Sequence, residues 1–172
     1  MTIQVGATDT HDEPETHAGQ YERQWLEPSA ADVWEHFLNV THQLEQKLER
    51  NLQATHGISH TQYEILVRLA DSPNGAIRMS DLAENLVTAK SAVTYQVGKL
   101  CNAGIVERFS CTYDARATYV RLTEAGGTLL DQVAPKHLEL VRQLVFEDLT
   151  CEEANQLTEI LTRWQSRLKT AE

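Results

Sequence analysis

The chain has 172 residues, of which 41% are hydrophobic, and its formal net charge is −10. This length and composition suit one domain with a hydrophobic core. The sequence has no apolar run of about 18 residues, so it predicts no membrane helix. It has no basic start followed by an apolar segment, so it predicts no signal peptide. We therefore expect a cytoplasmic protein without a membrane partner, and the three cysteines, with no CxxC pair, indicate a reducing compartment and no metal site.

The first 57 residues are predicted to form a tail and one long helix. Residues 1–28 are acidic and poor in aliphatic side chains, which is typical of a loosely ordered tail. Ser29 and Asp32 have the spacing of a capping box, so we expect a helix over 29–57 that ends near Gly57. Its apolar residues recur at steps of three and four: Val33, Phe37, Val40, Leu44, Leu48 and Leu52. This stripe is longer than one small domain needs, and it predicts a dimerisation helix.

The middle of the chain has the pattern of a helix-turn-helix. "SHTQ" at 59–62 is a second capping box, "SPNG" at 72–75 predicts a turn, and "AIRM" after it suits a short strand. Ser80 and Thr88 stand where they would cap two further helices, joined near "VT". In the second of these, Val93, Val97 and Leu100 form the inward face, and a glycine at 104 ends it.

The last third begins with a predicted hairpin. "IVERFS" and "TYVRLT" are alternating, β-rich runs that enclose a polar, basic tip. Thr123 then caps a helix that Pro135 is expected to kink or break, and "TCEE" at 150–153 caps the last helix. We predict a mainly α fold in which residues 58–122 form a winged helix-turn-helix with a two-stranded β-wing. The N-terminal helix and residues 123–172, which carry Leu157, Leu161 and Trp164, are expected to form a dimerisation domain.

The charge distribution points to nucleic acid as the partner. Residues 1–49 have a net charge of −8, whereas residues 88–122 have a net charge of +3. If Val93 and Val97 point inward, a set of basic, hydroxylated and small residues points outward from the second helix: Lys90, Ser91, Thr94, Tyr95, Gly98 and Lys99. Lysines neutralise phosphates and hydroxyls fit base edges, so this helix is predicted to enter the major groove of double-stranded DNA.

Residues 60–126 resemble the MarR family of bacterial winged-helix transcription regulators. The resemblance rests on "RMSDLAENLVTAKSAVTYQVGKLCNAGIVER" and "YDARATYVRLTEAG", which stand at the helix-turn-helix and at the D-x-R wing of the family. It implies a homodimer that binds a pseudo-palindromic operator and is released by a small-molecule effector or by cysteine oxidation. It implies no cofactor, and we expect the regulator to be a repressor.

The resemblance also assigns roles to residues. It places Ser91, Thr94 and Tyr95 at base-reading positions, and it matches Asp114 and Arg116 to the wing pair, in which the aspartate orients the arginine for the minor groove. Two positions depart from the family, which often has arginine in place of Tyr95 and an acidic residue at position 98. Arg108 and Arg121 on the hairpin have two open readings, as structural residues or as phosphate contacts.

The sequence leaves two mechanisms open for releasing the regulator from DNA, ligand binding and cysteine oxidation. Five aromatic and histidine residues are candidates for lining an effector cavity between the first two helices, although each is also an ordinary core candidate: Trp34, Phe37, His42, His60 and Tyr63. They predict a small apolar or aromatic ligand, with an anion as one option. Alternatively, oxidation of Cys111 in the wing or Cys101 in the recognition helix is expected to disturb DNA contact.

Other classes of function have less support in the sequence. The chain has no glycine-rich phosphate loop, no GxSxG and no HExxH, so we expect no catalytic residues and no enzyme. A dimeric adaptor that binds protein through the winged helix is the alternative outside DNA binding. The salt dependence of binding separates the two, because only contact with phosphates gives a steep dependence.

Overall fold

The computed structural model describes residues 27–72, 75–86, 88–111 and 114–170, and for residues 111 and 114–116 it describes the backbone alone. Residues 1–26 of the predicted N-terminal tail and the centre of the predicted turn at 72–75 therefore lie outside the described residues. The chain contains two compact units, Met1–Leu38 and Asn39–Glu172. Within the described ranges, no helix combines the length and the hydropathy needed to cross a bilayer.

Helix α1 spans Pro28–His56 and begins before the predicted cap. The carbonyl of Glu27 accepts hydrogen bonds from the amides three and four residues later, at 2.8 and 2.9 Å. Glu27 is thus the cap, and Pro28 takes the first helical position, where its fixed φ is helical and its missing amide costs nothing. The prediction of a Ser29 cap is wrong for this reason. Gly57, with φ of 68°, ends the helix as predicted.

Four short elements follow: α2 at His60–Ala70, β1 at Ala76–Arg78, α3 at Met79–Asn85 and α4 at Lys90–Asn102. The capping box of Ser59 and Gln62 is confirmed, with each side chain bonded to the other residue's amide. The caps predicted at Ser80 and Thr88 are wrong, because α3 and α4 begin at other residues and have no side-chain cap. The Ser80 hydroxyl donates to the Asp81 carboxylate instead, at 2.8 Å.

The predicted hairpin is present. Its strands are β2 at Val106–Cys111 and β3 at Asp114–Leu122, which pair antiparallel. Strand β1 pairs with the other edge of β3, which gives a three-stranded sheet of order β1-β3-β2. Val106 and Val120 are buried, whereas the directly paired Glu107 and Arg121 lie on the opposite face. This alternation is expected of strands with one face against a core.

The hydrophobic core of the second unit joins the end of α1 to α2, α3, α4, the sheet and α5. Its fully buried side chains include Leu52, Ile65, Leu66, Leu69, Leu82, Val93, Val97, Val106, Val120 and Val133. Aliphatic residues from seven elements thus share one cluster, so the recognition helix and the hairpin rest on the same packed support.

The chain ends with α5 at Glu124–Val141, a π-helical turn at Arg142–Phe146 and α6 at Cys151–Thr170. Thr123 caps α5 as predicted, since its hydroxyl accepts a hydrogen bond from the Gly126 amide at 3.1 Å. Thr150 and Glu153 form the predicted capping box before α6, with bonds of 2.9 and 3.2 Å between each amide and the other side chain. Local side-chain chemistry therefore sets both helix starts.

Pro135 lies inside α5 and does not break it, contrary to one of the two predicted outcomes. A proline removes the helical hydrogen bond to the carbonyl four residues earlier. That residue, Asp131, is exposed, so water can satisfy its carbonyl and the helix tolerates the loss. The dimerisation roles of 29–57 and 123–172, and the division from the lobe at 58–122, remain predictions.

We expect neighbouring glycines of α5 to respond oppositely to alanine. A Cβ at Gly126 would collide with the backbone carbonyl of Ile105, whereas a Cβ at Gly127 would meet no described atom within 4 Å. Gly126→Ala should lower the free energy of unfolding by about 1–3 kcal/mol through overpacking. Gly127→Ala should raise it by about 0.4–1 kcal/mol through helix propensity. Urea unfolding of both variants measures this, and equal effects would contradict the close approach of α5 to the backbone of Ile105.

Candidate DNA-binding surface

Helix α4 is held against the core by one face. Val93, Val97 and Leu100 are at most 2% exposed, and the helix packs against α2, α3 and β2. Burial at positions i, i+4 and i+7 sets the rotation of a helix about its axis. The opposite face therefore points to solvent, and the prediction of which face is inward is confirmed.

Five of the predicted DNA-contact residues lie on the exposed face: Lys90, Ser91, Thr94, Tyr95 and Lys99. The ring of Tyr95 is 64% exposed, and the ammonium nitrogen of Lys99 lies 5.7 Å from its centroid, a cation–π contact along the helix surface. The Thr94 hydroxyl donates to the Lys90 carbonyl at 3.0 Å, so its lone pairs remain available to accept from a ligand. No acidic residue occurs in this helix.

Two of the three arginines of the hairpin, Arg108 and Arg121, have different partners. Arg121 donates from Nε to the Glu107 carboxylate at 2.6 Å, and its guanidinium lies 5.1 Å from the Phe109 ring centroid. Arg108 instead donates from Nη2 to the Thr94 carbonyl at 3.1 Å. Arg121 is thus engaged on the outer face of the sheet, whereas Arg108 connects β2 to the middle of α4.

The predicted wing pair lies at the tip of the hairpin. The backbone places Asp114 opposite Cys111, after a register shift that follows Ser110. The side chains of Cys111, Asp114 and Arg116 lie outside the described part of the chain. Their predicted roles in DNA contact and oxidation therefore stay predictions.

A cleft of about 250 Å³ lies between the start of α3, the start of α4 and strand β3. Its polar lining consists of two cations and three hydroxyl groups: Arg78, Ser80, Lys90, Thr94 and Thr118. Such groups suit a backbone phosphate, which accepts hydrogen bonds and favours positive charge. The sequence analysis did not predict a role in DNA binding for Arg78 and Thr118, and it assigned Ser80 to a helix cap. The three residues lie next to the predicted helix-turn-helix and wing, and this proximity could have identified them.

The five predicted effector residues divide between the two units. In the first unit, the rings of Trp34 and Phe37 stack with centroids 6.2 Å apart. In the second, His42 is exposed, His60 is partly buried and Tyr63 is buried. Tyr63 therefore belongs to the core, the alternative that the sequence left open.

A histidine that sequence reasoning missed joins this part of the core. The ring centroid of His137 on α5 lies 4.2 Å from that of Tyr63 and 5.7 Å from that of His60. Burial, and secondarily the charge of His60, lower the pKa of His137, while burial and the nearby Asp71 raise the pKa of Tyr63. Both shifts favour neutral rings, as expected of core residues. A single histidine in an apolar helix gave no signal of this contact.

A separate cavity of about 310 Å³ lies beside His60, between α1, α2 and the residues before α4. Its lining is polar and includes three carboxylates: Glu45, Gln46, Glu49, His60, Thr61, Glu64 and Thr88. The Glu49 carboxylate accepts a hydrogen bond from the His60 amide at 2.6 Å, which fixes one side of the cavity.

The described residues also bear on metals and thiols. No group of three histidine, cysteine, aspartate or glutamate residues within the described ranges is arranged to hold a metal ion. Cys101 on α4 is a partly buried free thiol, and Cys151 at the start of α6 is an exposed one. Cys101 is therefore the one predicted redox residue whose side chain the structure places.

The chain is similar to known transcriptional regulators. The MarR family model matches residues 58–118. The transcriptional regulator MhqR of Bacillus subtilis is 28% identical over 111 residues, which cover 63% of this chain and 72% of that protein.

Two solved structures extend the match over most of the chain. Sco3205 of Streptomyces coelicolor, a MarR family transcriptional regulator in complex with DNA, is 35% identical with a TM-score of 0.81, covering 84% of this chain and 91% of that one. AbsC of the same organism is 33% identical with a TM-score of 0.81, covering 86% and 99%. The predicted winged-helix fold is confirmed, and the expectation of a non-enzyme agrees with these regulators. The chain belongs to the MarR family of transcriptional regulators.

Proposed function

We propose that this regulator binds a pseudo-palindromic DNA operator as a homodimer and represses transcription there. The observation that carries the proposal is the exposed face of α4, with Lys90, Lys99, three hydroxyl side chains and no carboxylate. The major groove admits an α-helix, hydroxyls bond to base edges and phosphates, and lysines neutralise the backbone. A dimer that covers promoter DNA excludes polymerase, which gives repression. The site of action is the cytoplasm, where a bacterial chromosome lies.

The hairpin completes the proposed DNA contact. In this proposal Asp114 orients Arg116 into the minor groove next to the major groove that α4 occupies. The cleft lined by Arg78, Ser80 and Lys90 receives a backbone phosphate beside the start of α4. Phosphate contacts of this kind set the register of the protein on the duplex, while α4 reads the sequence.

The apolar face of α6 supports the homodimer. Leu157, Leu161 and Leu168 are 40%, 42% and 73% exposed, and no residue of α6 is buried in the single chain. Their spacing of four and seven residues places them on one stripe. A contiguous exposed apolar stripe marks an interface. We assign it to a second copy, since a two-fold dimer presents two recognition helices to half-sites about 34 Å apart.

The cavity beside His60 supports an effector site but changes the expected ligand. Glu45, Glu49 and Glu64 disfavour an anion and favour a small aromatic ligand with a positive charge. Thr88 also lines the cavity, so a bound ligand would lie next to the start of α4. A hundredfold loss of operator affinity requires about 2.7 kcal/mol of coupling, so the ligand must bind the free dimer more tightly by that amount.

Cys101 supports a second candidate for the switch, because it lies on α4 as a free thiol. Its oxidation would place a larger, polar group at a partly buried position of the recognition helix. The adaptor function remains the alternative to DNA binding, and the following three experiments separate these possibilities.

We expect Lys90→Ala to weaken binding to duplexes selected from a random pool and to flatten the salt dependence by about one unit, because one phosphate contact is lost. Lys136→Ala is the matched control, since it removes the same charge from an exposed position of α5. Fluorescence anisotropy across about 50–200 mM salt measures both slopes. Equal slopes for the two variants would contradict phosphate contact at α4, and salt-insensitive binding of a protein partner would favour the adaptor.

Replacing Leu161 and Leu168 together by glutamate should give monomers and abolish operator binding. Both side chains are exposed in the single chain, so the change costs little in the fold of one copy. The control replaces Arg163 and Ser166 by glutamate, on the opposite side of α6, and should stay dimeric. Analytical sedimentation reports the state of both variants, and a dimeric leucine variant would place the interface elsewhere.

A variant with all three cysteines replaced by serine should still release operator DNA when titrated with small aromatic amines. Aromatic carboxylates of the same size should have little effect because of the three glutamates, and Glu64→Gln should reduce the response to amines. The fluorescence anisotropy of the operator DNA measures its release in each titration. If wild type responds only to peroxide and the cysteine-free variant to nothing, the cavity is not the sensor and the cysteines are.

A further inference from the structure

Arg108 occupies an unusual position for a strand residue. On β2 it shares a face with Val106, which is buried, while Glu107 and Phe109 lie on the other face. Val106 is the last buried residue among the described side chains of β2, and the residues at 107–110 are exposed. Two residues after Val106, on the same face of the strand, the side chain of Arg108 reaches α4. An arginine here is long enough to span the gap between the hairpin and the recognition helix.

The guanidinium of Arg108 reaches a backbone group in the middle of α4. Its Nη2 donates to the Thr94 carbonyl at 3.1 Å. In an α-helix this carbonyl also accepts from the amide of residue 98, and its second lone pair allows the additional donor. The bond therefore needs no side chain on α4 and leaves the helix intact. It adds a direct hydrogen bond between the wing strand and the recognition helix to the core packing that they share.

Gly98 lies beside this guanidinium on α4. A Cβ at Gly98 would lie 4.0 Å from Nη2 of Arg108, an ordinary contact, and would meet no closer atom of the described residues. Alanine therefore fits. Longer side chains on a helix extend toward its N-terminus and cover the preceding turn, which here is the turn of Thr94. Their outer atoms would take the place of the guanidinium.

We propose that Arg108 and Gly98 form a positioning pair that sets the angle between the wing and the recognition helix on DNA. The proposal deepens the proposed DNA-binding function and rests on it for its effect on operators. Of the two readings that the sequence leaves open for Arg108, it takes the structural one and not the phosphate contact, since the residue acts through Thr94 and α4. It also explains a glycine in the interior of the recognition helix, where its low propensity is unfavourable.

The test is a double-mutant cycle with Arg108→Ala, Gly98→Leu and the double variant, plus Gly98→Ala as the matched control. On a selected operator, each of the first two should weaken binding about tenfold, the factor for one hydrogen bond to a charged group. The operator affinity of the double variant should be no lower than that of the single variant with the lower affinity. Gly98→Ala should match wild type, and Arg108→Ala should keep the wild-type salt slope because no phosphate contact is lost.

Three results would overturn the pair. Additive losses of affinity would mean that leucine at 98 clashes with DNA directly. A loss of affinity with Gly98→Ala would mean that DNA needs the bare backbone at this position. A salt slope lowered by about one unit in Arg108→Ala would mean that Arg108 binds a phosphate. The same cycle in urea, without DNA, should also be non-additive in the unfolding midpoint. If wild type binds no duplex, the proposed function fails, while the urea cycle still decides whether the two residues act together.

Discussion

Burial of Val93, Val97 and Leu100 determines which residues α4 offers to a partner. Each such side chain contributes about 1.5–3 kcal/mol when it is removed from water, whereas an exposed charge pair contributes about 0–1 kcal/mol. The core therefore sets the rotation of the helix, and surface charge has little influence on it. Every exposed group on the candidate surface, from Lys90 to Lys99, owes its direction to this packing.

The acidic character of the chain limits how DNA can be bound. Charges farther apart than about 8 Å are largely screened in physiological salt, so the net charge of −10 leaves a local basic face functional. Long-range attraction is nevertheless weak in such a protein, and affinity must come from contacts at close range. This makes the relative placement of α4 and the hairpin important, and the bond from Arg108 to Thr94 is a direct physical link between them.

Sequence reasoning succeeded where the determinant is local and periodic. The inward face of α4, the hairpin and the reciprocal cap at Ser59 depend on residues within a few positions of one another. It failed at Ser80, because a hydroxyl near a helix start caps only if the backbone begins the helix one residue later, and strand β1 decides that. The contacts of His137 with α2 and of Arg108 with α4 join distant or differently patterned segments, so no local signal predicts them.

Site-specific photo-cross-linking shows whether the exposed face of α4 lies in the major groove, as proposed. A benzophenone amino acid is placed at Tyr95, which is 64% exposed on that face, and separately at Phe146, which lies outside α4. The complexes with a selected duplex are irradiated and the linked nucleotides mapped. We expect cross-links from position 95 to bases within each half-site and none from position 146. Cross-links from position 95 to protein alone, or to DNA outside the half-sites, would contradict the proposal.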